Sequence, residues 1–181
     1  MSRIKNKDKP AENKVRTGRA RTVAALAMAS ALALILSYLE SLVPLSVAVP
    51  GVKAGFANIV ILFMLYRVGL KEAAAVSGVR LLWVAILFGS FLTFLYSLAG
   101  AVLSLCVMAP MKKSGLFSAV GVSVTGGVMH NVGQIIVAVL VMGTAQIAYY
   151  LPVLMISGVV SGVLVGVVSA ILIKKIPKSI I

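Results

Sequence analysis

The chain's only histidine, His130, stands beside Asn131 in the segment GGVMHNVGQ (126–134), with Gln134 one helical turn on. An imidazole holds or moves a proton, and each amide offers a donor and an acceptor to a ligand edge. On a helix His130 and Gln134 share a face and Asn131 lies about 100° round from His130, so the three form one polar stripe. Gly126, Gly127 and Gly133 leave room for a ligand or another helix to come close. The same stripe serves as an interhelical hydrogen-bond clamp, and the pattern alone leaves both roles open. One histidine is too few for a metal site.

Arg80 is the second chemical feature. Counted from Lys71 it lies roughly 13 Å into an apolar segment, where a charge calls for a partner or a wet cavity. Ser77, three residues earlier, shares its face. Glu40, with Ser37 and Ser41 on the same face, is the acid placed to pair with Arg80; an anionic or polar ligand is the other partner such a guanidinium would take. In VPGVKAGFAN (49–58), Pro50 and Gly51 set a turn, and Lys53 and Asn58 supply donors beside a helix start, a place that attracts anions. The structural alternative is a plain turn with a snorkelling lysine. Tyr38, Trp83, Tyr96, Tyr149 and Tyr150 fall mostly near span ends, where aromatic side chains anchor at the interface; Tyr96 is also placed to line a cavity.

The elements that position these residues follow from hydropathy. The chain is 61% hydrophobic and 12% charged, with a mean hydropathy of +1.10. That is too little polar surface to cover a soluble domain. Apolar runs recur from Thr22 to Ile173 and predict an all-α membrane bundle of about six spans, near 22–43, 56–68, 73–88, 91–108, 116–141 and 147–173. The second and third are short enough to tilt or to enter only partly. Residues 1–21 are expected to form a disordered basic tail, 22–173 the membrane domain and 174–181 a second basic tail. The first run shows no convincing cleavage site and is expected to be retained.

Net charge is +13, and its placement matters more than its size. The first 21 residues hold Arg3, Lys5, Lys7, Lys9, Lys14, Arg16, Arg19 and Arg21. Arg67 and Lys71, Lys112 and Lys113, and Lys174, Lys175 and Lys178 fall on the same side of six spans, against Lys53 alone on the other. Both termini are therefore expected in the cytoplasm, in contact with lipid head groups. No aromatic residues interleave the basic ones, which speaks against nucleic acid. Cys106 stands alone, excludes an intramolecular disulfide and reads as a small buried hydrophobe.

Small residues recur at spacing four in Ala25, Ala29 and Ala33, in Ala27 and Ala31, and in Gly158, Gly162, Gly166 and Ala170. Such stripes bring helices into close contact. For the glycine stripe the expected neighbour is within the bundle; for the alanines an external partner is equally expected. The sequence has no Walker A motif, and its one aspartate, Asp8, lies in the tail, so neither a Ser-His-Asp set nor a paired-acid Mg²⁺ site is available in the bundle.

LALILSYLESLVPL (32–45), VPGVKAGFANIV (49–60), LFGSFLTFLYSLAG (87–100), GVSVTGGVMHNVGQ (121–134) and YYLPVLMISGVVSG (149–162) together resemble a bacterial membrane family that carries two labels, heptaprenyl diphosphate synthase component I and Gx transporter. The resemblance runs over about residues 22–173. Prenyl-chain synthesis requires two aspartate-rich motifs around Mg²⁺, and this chain has neither. The family is similar to the substrate-binding S components of energy-coupling factor (ECF) transporters. That similarity implies six helices in the bacterial cytoplasmic membrane, with both ends inside. It also implies a T component docked on an AxxxA-type face of the first helix, here Ala25, Ala29 and Ala33. Two partner ATPases would hydrolyse ATP, and no cofactor would sit in this chain. His130, Asn131 and Gln134 would then line a small-molecule pocket in the outer half of the bundle, with Arg80, Glu40 and the 49–58 loop nearby. The alternative is a non-catalytic accessory protein of polyprenyl diphosphate or quinone synthesis. A membrane subunit of a quinone-linked electron-transfer assembly has little support, because no haem or cluster ligand set is visible.

Overall fold

The computed structural model describes residues 9–42, 54–88 and 91–176. All regular structure among them is helical: α1 (Lys9–Leu42), α2 (Phe56–Arg67), α3 (Leu70–Phe88), α4 (Phe91–Ser114), α5 (Ala119–Met142), a 3-10 segment (Ala145–Tyr150) and α6 (Leu151–Lys175). The Ala20–Leu42 part of α1, then α4, α5 and the stretch Ala145–Lys175 are long and apolar enough to cross a membrane. The chain is a membrane protein. α2 has 12 residues and so spans only about 18 Å of a hydrocarbon layer about 30 Å thick. α3 has the length, at 19 residues, but carries Lys71, Glu72 and Arg80.

The helices pack as a closed ring. α1 touches α2 and α3, α3 touches α4, α4 packs on α5, α5 on α6, and α6 returns to α2. α2 is the most enclosed, with Ala57, Val60, Ile61, Leu62, Met64 and Leu65 buried. These residues form the core with Ala29 and Ala33 of α1, Ala73 and Val76 of α3, Met108, Val122 and Val165. Outward faces are apolar as well: Leu82, Trp83 and Ile86 of α3 and Ile156, Val160 and Leu164 of α6 are exposed on the molecule's surface, as helices facing lipid tails require.

Three polar side chains fasten α2 along its length. Glu40 accepts a hydrogen bond from the Gly55 N–H at 2.6 Å. Ser169 donates to the Ile59 carbonyl at 3.3 Å, and the Lys112 ammonium donates to the Leu65 carbonyl at 2.5 Å. A carboxylate at the helix start and an ammonium at its end both complement the macrodipole. Gly55 holds φ of 76°, a left-handed conformation that a side chain would strain.

The glycine stripe works within the bundle. A Cβ on Gly127 would sit 2.5 Å from the Gly158 carbonyl oxygen, one on Gly162 2.6 Å from the Val124 Cα, and one on Gly166 2.7 Å from the Val120 Cα. α5 and α6 thus meet backbone to backbone. On its other side α5 presents Gly133, where a Cβ would lie 2.8 Å from the Ala99 carbonyl oxygen.

Several expectations change. The basic segment is helical from Lys9 rather than disordered through residue 21; Pro10 falls in the first turn, which tolerates it, and Ala, Glu, Lys and Arg favour helix beyond. α4 runs through Pro110 to Ser114 instead of closing there. Within the last span, a 3-10 segment (Ala145–Tyr150) precedes the α-helix from Leu151, with Pro152 in its first turn, and Gly143, at φ 64°, ends α5. Cys106 is exposed on the outer surface of α4 rather than buried. Of the alanines expected to meet a partner, Ala33 is fully buried and Ala29 nearly so, covered by the molecule's own core. Ala25 is half-buried, and only Ala27 and Ala31 are exposed.

Candidate functional site

His130 and Gln134 of the α5 polar stripe line different cavities among the described residues. The central one, of about 30 Å³, is lined by Asn58 of α2, Ser77 of α3, Ser104 of α4, Ser123 and His130 of α5 and Ser161 of α6, among apolar neighbours. Five helices contribute. Its volume suits roughly two water molecules. His130 reaches it by lying against Gly100, where a Cβ would come within 2.9 Å of its Cε1.

The second cavity, of about 480 Å³, sits between the start of α4, the end of α5, the 3-10 segment and the start of α6. Thr93, Tyr96, Ser97, Gln134, Tyr150 and Leu154 line it, with Ile135, Ala138, Met142 and Ile147 supplying the rest of the wall. Its size lies within the range of small-molecule sites. No charged residue lines it among the described residues.

Asn131 joins neither wall. It is buried, and its amide donates to the Leu154 carbonyl at 2.5 Å, across from α5 to α6. It is the clamp of the polar stripe, because its position 100° round from His130 turns it toward α6 while His130 faces α4. Gly158 accommodates the amide: a Cβ there would lie 3.0 Å from Nδ2 of Asn131.

Arg80 of α3 and Glu40 of α1 line neither cavity. One Glu40 carboxylate oxygen accepts from the Gly55 N–H at 2.6 Å. The start of α2, expected to attract a ligand anion, is thus served by the protein's own carboxylate. Lys53 lies outside the described residues, and with it most of the 44–55 segment.

Four buried polar atoms around these regions have no hydrogen-bond partner among the described residues: Ser37 Oγ, Ser77 Oγ, Arg80 Nε and the Tyr96 hydroxyl. An unsatisfied buried polar atom is costly, so each marks a place where water or a ligand group would be held. Ser77 faces the central cavity and Tyr96 the larger one. Sequence reading did not single out Ser104, Ser123 and Ser161 as lining residues, nor Thr93 and Ser97. Ser97 and Ser104 stand seven apart, on one helix face, beside Gly100; that spacing was the available signal.

A closed ring of helices with apolar outward faces defines an α-helical membrane protein. The chain belongs to the family described as heptaprenyl diphosphate synthase component I, whose model matches residues 29–172. No curated protein and no solved structure gives a match.

Proposed function

We propose that this chain is the substrate-binding membrane subunit of an ECF-type small-molecule uptake transporter, with six spans and both termini in the cytoplasm. The observation that carries the reading is the 480 Å³ cavity, because it is built by side chains from four helical segments and holds a buried hydroxyl, that of Tyr96, with no partner among the described residues. A ligand site needs such a vacancy, and a purely structural helix bundle gains nothing from it. The cavity lies at the end of the bundle opposite the basic links, hence toward the outside by the distribution of charge. α2 and α3 complete the ring as short spans. A T component and two ATPases are the partners this role requires. The T component would meet α1 on its exposed Ala27 and Ala31 side.

The family description favours a second reading, a non-catalytic accessory protein of polyprenyl diphosphate synthesis. Affinity purification of the tagged chain from its native membrane in mild detergent, followed by mass spectrometry, separates the two. Co-purification of a T component with two ATPases is the expected result. Recovery of a soluble prenyl synthase instead would replace the transporter reading with the accessory one.

A further inference from the structure

We infer that the 480 Å³ cavity takes an uncharged, ring-bearing molecule with an amide-like edge, read by Gln134 and Tyr96. The inference rests on the substrate-binding role proposed above and names the chemical class of the substrate.

The wall decides the charge. Among the described residues it contains no Lys, Arg, His, Asp or Glu. An ionised ligand would lose its water there without gaining a counter-charge, an outcome that opposes binding strongly. Arg80 and Glu40, the two intramembrane charges, do not line this cavity. His130 does not line it either; it faces the smaller central cavity.

Aromatic side chains decide the shape. Tyr96 and Tyr150 both contribute to the wall, with Ile135, Ile147, Met142 and Leu154 around them. Flat rings stack on or pack edge-on against tyrosines, and the aliphatic remainder favours an apolar body.

Two polar groups decide the edge. Gln134 brings one acceptor and two donors on a single amide. The Tyr96 hydroxyl is buried without a partner among the described residues and serves as donor or acceptor. A carbonyl beside an N–H matches such a pair, whereas a carboxylate offers acceptors alone. A site built to hydrogen-bond a polar edge discriminates strongly against analogues that cannot answer it.

Binding of 1-naphthamide and of 1-naphthoate to the purified, detergent-solubilised chain tests this directly. The two share ring and size and differ in amide against carboxylate. The expected result is saturable naphthamide binding, with naphthoate at least about tenfold weaker. Gln134→Leu and Tyr96→Phe should each weaken naphthamide about fivefold to tenfold. Tyr96→Phe should at the same time leave the melting temperature of the ligand-free protein unchanged or higher, since it removes an unsatisfied hydroxyl. Equal or tighter binding of naphthoate, naphthamide binding that survives both substitutions, or no saturable naphthamide binding overturns the inference. None of these outcomes depends on partner subunits. Failure here therefore leaves the co-purification test of the transporter role standing, and failure there leaves this one readable.

Discussion

Asn131 and Tyr96 are both polar groups within an apolar ring, and they differ in whether the protein completes them. Asn131 is completed by the Leu154 carbonyl; Tyr96 keeps a buried hydroxyl without a partner among the described residues. Their substitutions should therefore move stability differently. Asn131→Leu removes a bond that joins α5 to α6 and should cost about 1 kcal/mol, the usual scale for hydrogen bonds between membrane helices. A lower melting temperature in detergent, with Gln134→Leu at the wild-type value as control, checks it. The sequence displayed the composition of this stripe fully. It did not display the division of labour, because whether a residue 100° round a helix meets a cavity or a carbonyl depends on which helices flank it. The same holds for Glu40: the sequence offered it as the acid to pair with Arg80, but its bond to the Gly55 N–H required knowing that α2 starts there.

At the scale of elements, small residues decide which helix faces are spoken for. The α6 glycines were legible as a contact stripe and are one, against α5. The α1 alanines carried the same signature but with two stripes on one helix, and composition alone did not rank them. Burial does: Ala33 is in the core while Ala31 is exposed. Ala33→Leu should overpack that core and cost about 1–3 kcal/mol, seen as loss of monodisperse protein in size-exclusion chromatography. Ala31→Leu should leave melting unchanged and instead reduce recovery of a bound T component. Co-purification that survives Ala31→Leu would remove that side of α1 as the docking face. Gly158→Val is the harsher test of the α5–α6 seam. Its branched side chain must displace the Gly127 backbone, because even a single Cβ would lie 2.9 Å from the Gly127 carbonyl oxygen. Its expected effect is failure to yield folded protein, checked by melting in the same detergent.

For the molecule as a whole, hydropathy and charge made the class legible and left the insertion of the short helices to be settled by packing. α2 is too short to cross alone, yet it is enclosed by α1, α3 and α6 and fastened at both ends by Glu40 and Lys112. Its polar ends are thereby satisfied inside protein rather than in lipid, which is what permits a short span. If α2 and α3 both cross, the 3-10 segment lies on the face opposite the basic links, and the large cavity opens near the outer surface. If only one of them crosses, the ends of α4, α5 and α6 keep their order, but the amino terminus changes side relative to them. Cysteine labelling separates the two. In a Cys106→Ala background, Ala145→Cys should react with a membrane-impermeant maleimide on intact cells, as should a cysteine at Leu42. Leu116→Cys should react only after permeabilisation. Labelling of the Leu42 and Ala145 positions from opposite sides would show that just one of α2 and α3 spans. The charge asymmetry would then have to be redrawn, and the outward-facing cavity with it.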